Sequence, residues 1–269
     1  VQRELYYRLL QQPIFTSTRD VNEAVQDCIS LLRVPRSALG VCCSSKGAVV
    51  GRLHIRDGPC APWIDCSMLG IGGKSIPGDP SAIAAFTFQC QSRYILVIEK
   101  DAIFQRLAED RFFDTVPCTI ITAKGMPDLA TRVFLQKLHR EFPQLPVLGV
   151  VDWNPSGVAI LGVYKYGSFR MGLESPQYAV PALKWLGVRH TMLEDADGQV
   201  FQLLTQRDHS VLQTLKRTLQ TVNPQWAEEL DVMLEANSKA EIEAVYTSNG
   251  VDGLARLLEQ SILHQNWLP

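Results

Sequence analysis

A chain of 269 residues, 46% of them hydrophobic, is long enough to bury a full core as one large domain or two modest ones. No apolar stretch approaches the ~18 to 20 residues of a membrane span, and no signal or transit pattern opens the chain. The net charge of −2 excludes a protein coated in positive charge, yet residues 1–56 carry eight Lys/Arg against four acids, a local +4, which makes that segment the candidate for touching phosphates.

The seven cysteines are odd in number and scattered through core-like runs, so they read as reduced thiols of an intracellular protein. Cys60 and Cys66 lack a histidine knuckle, and the five histidines show no metal spacing, which argues against zinc. Val1-Gln2-Arg3 starts in apparent mid-helix without a methionine, the expectation being a fragment or trimmed chain.

In chain order, Arg3-Glu4-Leu5-Tyr6-Tyr7-Arg8 is a tyrosine pair in a helical, basic setting. Residues 19–33 read as a helix, with Val21, Ala24, Val25, Cys28, Ile29 and Leu32 at spacings of three and four behind Thr18 or Asp20 as cap. Two short strands, Val41 to Cys43 and Ala48 to Val50, read as a hairpin joined by Ser44-Ser45-Lys46-Gly47. Helices followed by a β-hairpin fit a winged helix. Gly70 to Pro80 is rich in glycine and proline, which places a domain boundary there.

Beyond that boundary, strands and helices alternate. Ile95 to Ile98, Cys118 to Thr122 and Val147 to Asp152 read as buried strands and Asp128 to Phe142 as an amphipathic helix. Such alternation implies a parallel sheet with helices on its faces. Ligands of such sheets collect outside the strand carboxyl ends, where Glu99, Lys124 and Asp152 fall. The last third reads as helical, with Pro224 to Tyr246 and Val251 to Leu263 carrying apolar faces. Gly72-Gly73-Lys74-Ser75 resembles the end of a P-loop, but Met68 stands where that pattern needs glycine, so ATP binding is excluded.

Glu99 and Asp152 are hard oxygen donors placed where apolar runs stop, which suits Mg2+, an ion that takes one or two carboxylates and keeps water or phosphate oxygens elsewhere. Asn154 could add a neutral carbonyl oxygen. Pro155 and Gly157 shape the turn into the next helix. A phenol, with a pKa of ~10, needs a nearby cation to act as a nucleophile; Arg3 and Arg8 could stabilise the phenolate and clamp a phosphate. Spacing from Arg3 does not choose between Tyr6 and Tyr7. Lys46 and Lys124 are further candidates for DNA phosphates, although the loop holding Lys124 also reads as a plain strand-to-helix connection capped by Asp128.

Together these segments resemble the family of the DNA-cleaving A subunit of topoisomerase VI and its eukaryotic relatives, the meiotic double-strand-break proteins. The opening run is similar to the family's Arg-Asp-Ile-Tyr-Tyr, whose second tyrosine maps to Tyr7. Val97 to Leu107 resembles the glutamate segment of the Toprim domain, with Lys100-Asp101-Ala102 and Phe104-Gln105-Arg106-Leu107 in the style of the meiotic branch. Thr122 to Arg132 resembles Thr-Gly-Lys-Gly-x-Pro-Asp-Leu-x-Thr-Arg with Ala123 for the first glycine. Val151 to Ser168 resembles Asp-x-Asp-Pro-x-Gly and its Tyr-Lys-Tyr-Gly-Ser sequel, with Asn154 for the second aspartate.

The resemblance implies an α/β chain. A partial winged-helix (CAP-like) domain over residues 1–75 would carry the tyrosine, and a Toprim domain over 80–269 would hold the parallel sheet and helical C-terminal part. It implies a nuclear, Mg2+-dependent, type IIB topoisomerase-like DNA transesterase that makes meiotic double-strand breaks. Tyr7 would be the nucleophile assisted by Arg3, with Glu99, Asp152 and Asn154 at the metal and Arg8, Lys46 and Lys124 on DNA. Partners would be double-stranded DNA, a second copy in an active homodimer, meiotic accessory proteins and a topoisomerase VI B-like subunit, with no membrane. The N-terminal extension that contacts the B subunit is absent from these residues. Alternatives are a Toprim nuclease or primase, a catalytically weakened DNA-binding or assembly protein, and a topoisomerase VI type A subunit relaxing DNA with a B subunit.

Overall fold

The computed structural model describes residues 2–9, 14–42, 44–168, 176–194, 196–246, 250 and 252–269. Helix α1 (Gln2–Arg8) carries the tyrosine pair. Helix α2 (Thr18–Leu32) buries Val21, Val25 and Ile29 along one stripe, as the spacing requires. Its cap is Ser17, one residue ahead of the expected Thr18 or Asp20. The Ser17 hydroxyl accepts from the Asp20 N–H while the Asp20 carboxylate accepts from the Ser17 N–H, a reciprocal capping box.

The hairpin expected over residues 41–50 is not formed. Val41 and Cys42 are not in a strand and Cys43 lies outside the described residues. Strand β1 (Ala48–Gly51) is real but pairs with distant partners. Next come β2 (Leu53–Asp57), β3 (Trp63–Asp65), β4 (Lys74–Ser75), α3 (Pro80–Ala84) and β5 (Phe86–Cys90). Strands β3, β2 and β5 make a small antiparallel sheet in that order.

The central sheet completes with β6 (Tyr94–Ile98), β7 (Cys118–Thr122), β8 (Val147–Val150) and β9 (Leu183–Gly187). Its order is β4-β1-β7-β6-β8-β9; β7, β6, β8 and β9 run parallel, and β1 lies antiparallel on β7. The division expected between residues 75 and 80 therefore runs through one sheet. Ala48, Val49, Val50 and Ile76 belong to the same core as Ile95 to Ile98 and Val147. A local strand signal does not name its partner, and here the long-range partner β7 wins over the short hairpin.

Between these strands lie α4 (Asp101–Glu109), α5 (Phe112–Thr115), α6 (Leu129–Glu141) and α7 (Pro155–Tyr166). The parallel α/β architecture read from the alternation is therefore present. Asp128 caps α6, its Oδ1 accepting from the Thr131 N–H at 3.0 Å. The β6 strand leaves for β7 on one side, and the chain returns past it to β8 on the other, which makes the carboxyl end of β6 a topological switch point.

After β10 (Gln202–Leu203) come α8 (Gln206–Val222) and α9 (Pro224–Ala236). The single helix expected over residues 224–246 stops at Ala236, because Asn237 takes a left-handed conformation with φ 46°. The chain then forms β11 (Ser238–Lys239) and a short 3-10 turn over Ile242–Ala244, and ends with α10 (Gly253–Leu263). Among the described residues no helix is long and apolar enough to cross a membrane.

Candidate metal centre

Strand register builds the site. Ile98 sits opposite Thr122 on one side and Val150 on the other, so the residues leaving β6, β7 and β8 emerge at one edge of the sheet. Those residues are Glu99, Ala123 with Lys124, and Val151 with Asp152. Glu99 is tied in at both ends. Its N–H donates to Val150 O at 3.0 Å and its carbonyl accepts from the Gly125 N–H at 2.8 Å.

The two acids touch. The Asp152 N–H donates to Glu99 Oε2 at 2.9 Å. Burial and the neighbouring Asp152 charge push the Glu99 carboxyl up to about 7. Asp152, only 5% exposed, is also raised, burial being the main cause. Its Oδ1 accepts from the Ile242 N–H at 2.9 Å and lies 3.2 Å from Lys100 Nζ.

Asn154 does a second job that its place in the sequence conceals. It is the N-cap of α7, with Oδ1 accepting from the Gly157 N–H at 2.8 Å, so its amide nitrogen is turned toward Asp152 Oδ2 at 3.4 Å. Gly157 allows this turn for a steric reason: a Cβ there would lie 2.4 Å from Asp152 O.

Reasoning from sequence missed the C-terminal contribution. The Ala240 N–H donates to Trp153 O at 3.0 Å, and with the Ile242 bond this lays residues 240–242 against the end of β8. Glu241 and Glu243 consequently reach Lys100, their Oε2 atoms 3.1 and 2.6 Å from Nζ. Burial works against the charge on Lys100, but the bonds to Glu243, Asp152 and Glu241 outweigh it and its pKa is raised. These acids are separated from Glu99 by most of the chain, and nothing in their local pattern points to the site.

The other candidates divide. Lys124 pairs with Asp101 at 3.3 Å, and Lys46 Nζ donates to Met126 O at 2.9 Å, so both lysines lie along the loop between β7 and α6. Tyr7 is 72% exposed, its ring 5.4 Å from that of Tyr6. Arg8 pairs with Glu4 at 2.6 Å on the exposed face of α1. Arg3 is within α1, but its side chain lies outside the described residues.

The residues present fit a magnesium ion. Glu99 and Asp152 offer two adjoining carboxylates, and magnesium takes one or two carboxylates while keeping water and phosphate oxygens in its other positions; among the described residues no group of three or more His, Cys, Asp or Glu is placed to hold a metal. Glu99 Oε2 and Asp152 Oδ1 accept backbone bonds, Asp152 Oδ2 accepts the long 3.4 Å bond from Asn154 Nδ2, and Glu99 Oε1 would face the ion. Lys100 meets three carboxylates, those of Asp152, Glu241 and Glu243, and Glu99 adds a fourth beside Asp152, which leaves the site short of positive charge.

Residues 94–258 match the family model for the Toprim domain of the Topoisomerase 6 A subunit/Spo11. The chain belongs to this topoisomerase VI A-subunit/Spo11 family. It is 46% identical to Meiotic recombination protein SPO11-2 of Oryza sativa subsp. japonica over 99% of its own length and 69% of the relative's. It is 34% identical to Meiotic recombination protein SPO11 of Homo sapiens over 99% and 67%. The DNA topoisomerase 6 A subunit of Arabidopsis thaliana is 38% identical over 99% of this chain and 62% of that one. Both the family and the Toprim domain expected from the sequence are borne out. The Glu99 and Asp152 edge falls inside the matched Toprim region, and Tyr7 lies before it.

Proposed function

We propose that this protein is the catalytic subunit that makes meiotic DNA double-strand breaks by tyrosine transesterification. The observation that carries the reading is the pair Glu99 and Asp152, joined by the 2.9 Å bond at the ends of two parallel strands, in a chain so similar to a meiotic recombination protein. The helical residues ahead of β1 serve as the tyrosine-bearing DNA-binding part. Arg8, Lys46 and Lys124 hold DNA phosphates.

In the reaction the Tyr7 phenol gives up its proton, its oxygen attacks the backbone phosphorus, and the 3′ oxygen leaves as a hydroxyl after taking a proton. One phosphodiester replaces another, so the strand breaks without ATP and the 5′ end stays on Tyr7. Arg3 and Arg8 favour the phenolate and grip the phosphate. Glu99 and Asp152, with Asn154 beside them, would hold Mg2+, which supplies Lewis-acid stabilisation of charge on phosphoryl oxygens. Exposed Tyr7 is delivered to the carboxylates of a second copy, so the active unit is a homodimer on double-stranded DNA that cuts once per strand. It works in the nucleus with meiotic accessory proteins and a topoisomerase VI B-like subunit.

The test is 5′-protein-linked DNA from duplex, Mg2+ and the full chain. Tyr7→Phe should abolish it, and linked ends that persist in Tyr7→Phe would refute the nucleophile. The 38% identity to a topoisomerase subunit supports a second reading as a DNA-relaxing A subunit. Relaxation of supercoils on adding a B-like ATPase subunit would favour that one.

A further inference from the structure

Lys100 is the cation between the carboxylates of this site, and the reaction above does not use it. Its ammonium gathers Asp152 at 3.2 Å, Glu241 at 3.1 Å and Glu243 at 2.6 Å. Two separate backbone bonds, from Ala240 to Trp153 and from Ile242 to Asp152, deliver the C-terminal acids to it. On the other side of Asp152, the residue whose counterpart in the family pattern is a second aspartate is Asn154, and its carbonyl oxygen is spent on Gly157. Asp152 thus has a neutral amide beside one carboxylate oxygen and a fixed cation beside the other.

We propose that Lys100 supplies the second positive charge of the cleavage site, so that each chain binds a single divalent ion. The proposal rests on reading Glu99 and Asp152 as the metal carboxylates. A protonated lysine is a compact point charge with three donors, and here each donor has a carboxylate to meet. It pairs with Oδ1 of Asp152 and leaves Oδ2 to the long bond from Asn154 Nδ2. It also repels a second divalent cation from Glu241 and Glu243, which would otherwise be a ready pair of ligands. Lys100 is a positioning residue in this scheme: it fixes the Asp152 carboxylate and ties the 3-10 turn to it.

The test counts Mn2+ bound to the full-length protein by the loss of the free-ion electron paramagnetic resonance signal. Wild type should bind one Mn2+ per chain and Lys100→Arg should still bind one. Lys100→Met should bind two. Asn154→Asp alone should stay at one, because the ammonium remains in place. One ion in folded Lys100→Met, or two in Asn154→Asp, overturns the proposal, and the second arm stands even if Lys100→Met fails to fold. No binding by wild type, or binding undiminished in Glu99→Gln, would instead sink the carboxylate reading beneath it.

Discussion

The Asp152 N–H donates to Glu99 Oε2 at 2.9 Å, so the backbone of one strand end orients the carboxylate of the next. The bond requires that β6 and β8 be parallel neighbours with Ile98 opposite Val150. A local carboxylate pair with a like-charge conflict is the result, and a cation resolves it.

That conflict gives a pH signature. Glu99 is raised from 4.5 to about 7 in the folded chain, so folding retains a proton that the unfolded chain loses near pH 4.5. The associated stability is complete below that pH and is lost as pH rises through about 7. Asp152 is raised too and works in the same direction. Asp20 and Asp208, lowered to about 2, have finished their opposite contribution before this window opens, while His139, lowered by burial, opposes the two raised carboxyls within it. Chemical unfolding of the metal-free protein should show stability falling between pH 5 and pH 8. Glu99→Gln should flatten the slope and gain roughly 1 to 3 kcal/mol at pH 8. A slope unchanged in Glu99→Gln would remove the assigned cause.

Metal binding should mirror this. An ion must displace the Glu99 proton below about 7, so Mn2+ affinity followed by calorimetry should fall up to about tenfold per unit of pH on the acid side and level off above it. A flat profile from pH 5.5 to 8 would mean that Glu99 is not a ligand.

At Gly157, alanine would be the better helix former by up to about 1 kcal/mol, but its Cβ would press on Asp152 O at 2.4 Å and Val151 Cβ at 3.1 Å. The clash with backbone should prevail. Gly157→Ala is expected to lose about 1 to 3 kcal/mol in denaturant unfolding and to weaken Mn2+ binding through the displaced Asp152. Unaltered stability would show that the turn has room to spare.

Asn154 separates capping from ligation. Asn154→Ala should cost about 1 kcal/mol through the lost cap on α7. Asn154→Asp keeps the cap and adds charge next to Asp152, so stability should hold while Mn2+ binds more tightly at the one site. Equal stability of the alanine variant and wild type would contradict the capping role.

The parallel strands were legible because Ile95 to Ile98, Cys118 to Thr122 and Val147 to Val150 are short, mainly apolar runs that are buried throughout, and their ends named Glu99 and Asp152 as neighbours. Ala48 to Gly51 was legible as a strand but not by its partner, since pairing with Cys118 to Thr122 is decided across the fold. Leu53-His54-Ile55-Arg56-Asp57 alternates buried and partly exposed residues, a signal that could have revealed β2. Glu241 and Glu243 were out of reach, as only the docking of residues 240–242 on Asp152 and Trp153 brings them to Lys100.

The central claim is that Tyr7 of one chain works with Glu99 and Asp152 of another. Exposed Tyr7 can be replaced with little effect on folding, so the decisive measurement mixes full-length Tyr7→Phe with Glu99→Gln on end-labelled duplex and Mg2+. Each variant alone should be inert. The mixture should nick one strand and leave its 5′ end on the Glu99→Gln chain, whose Tyr7 meets the intact carboxylates of the other variant. A mixture as inert as its components, or 5′ ends found on the Tyr7→Phe chain, would contradict the shared site.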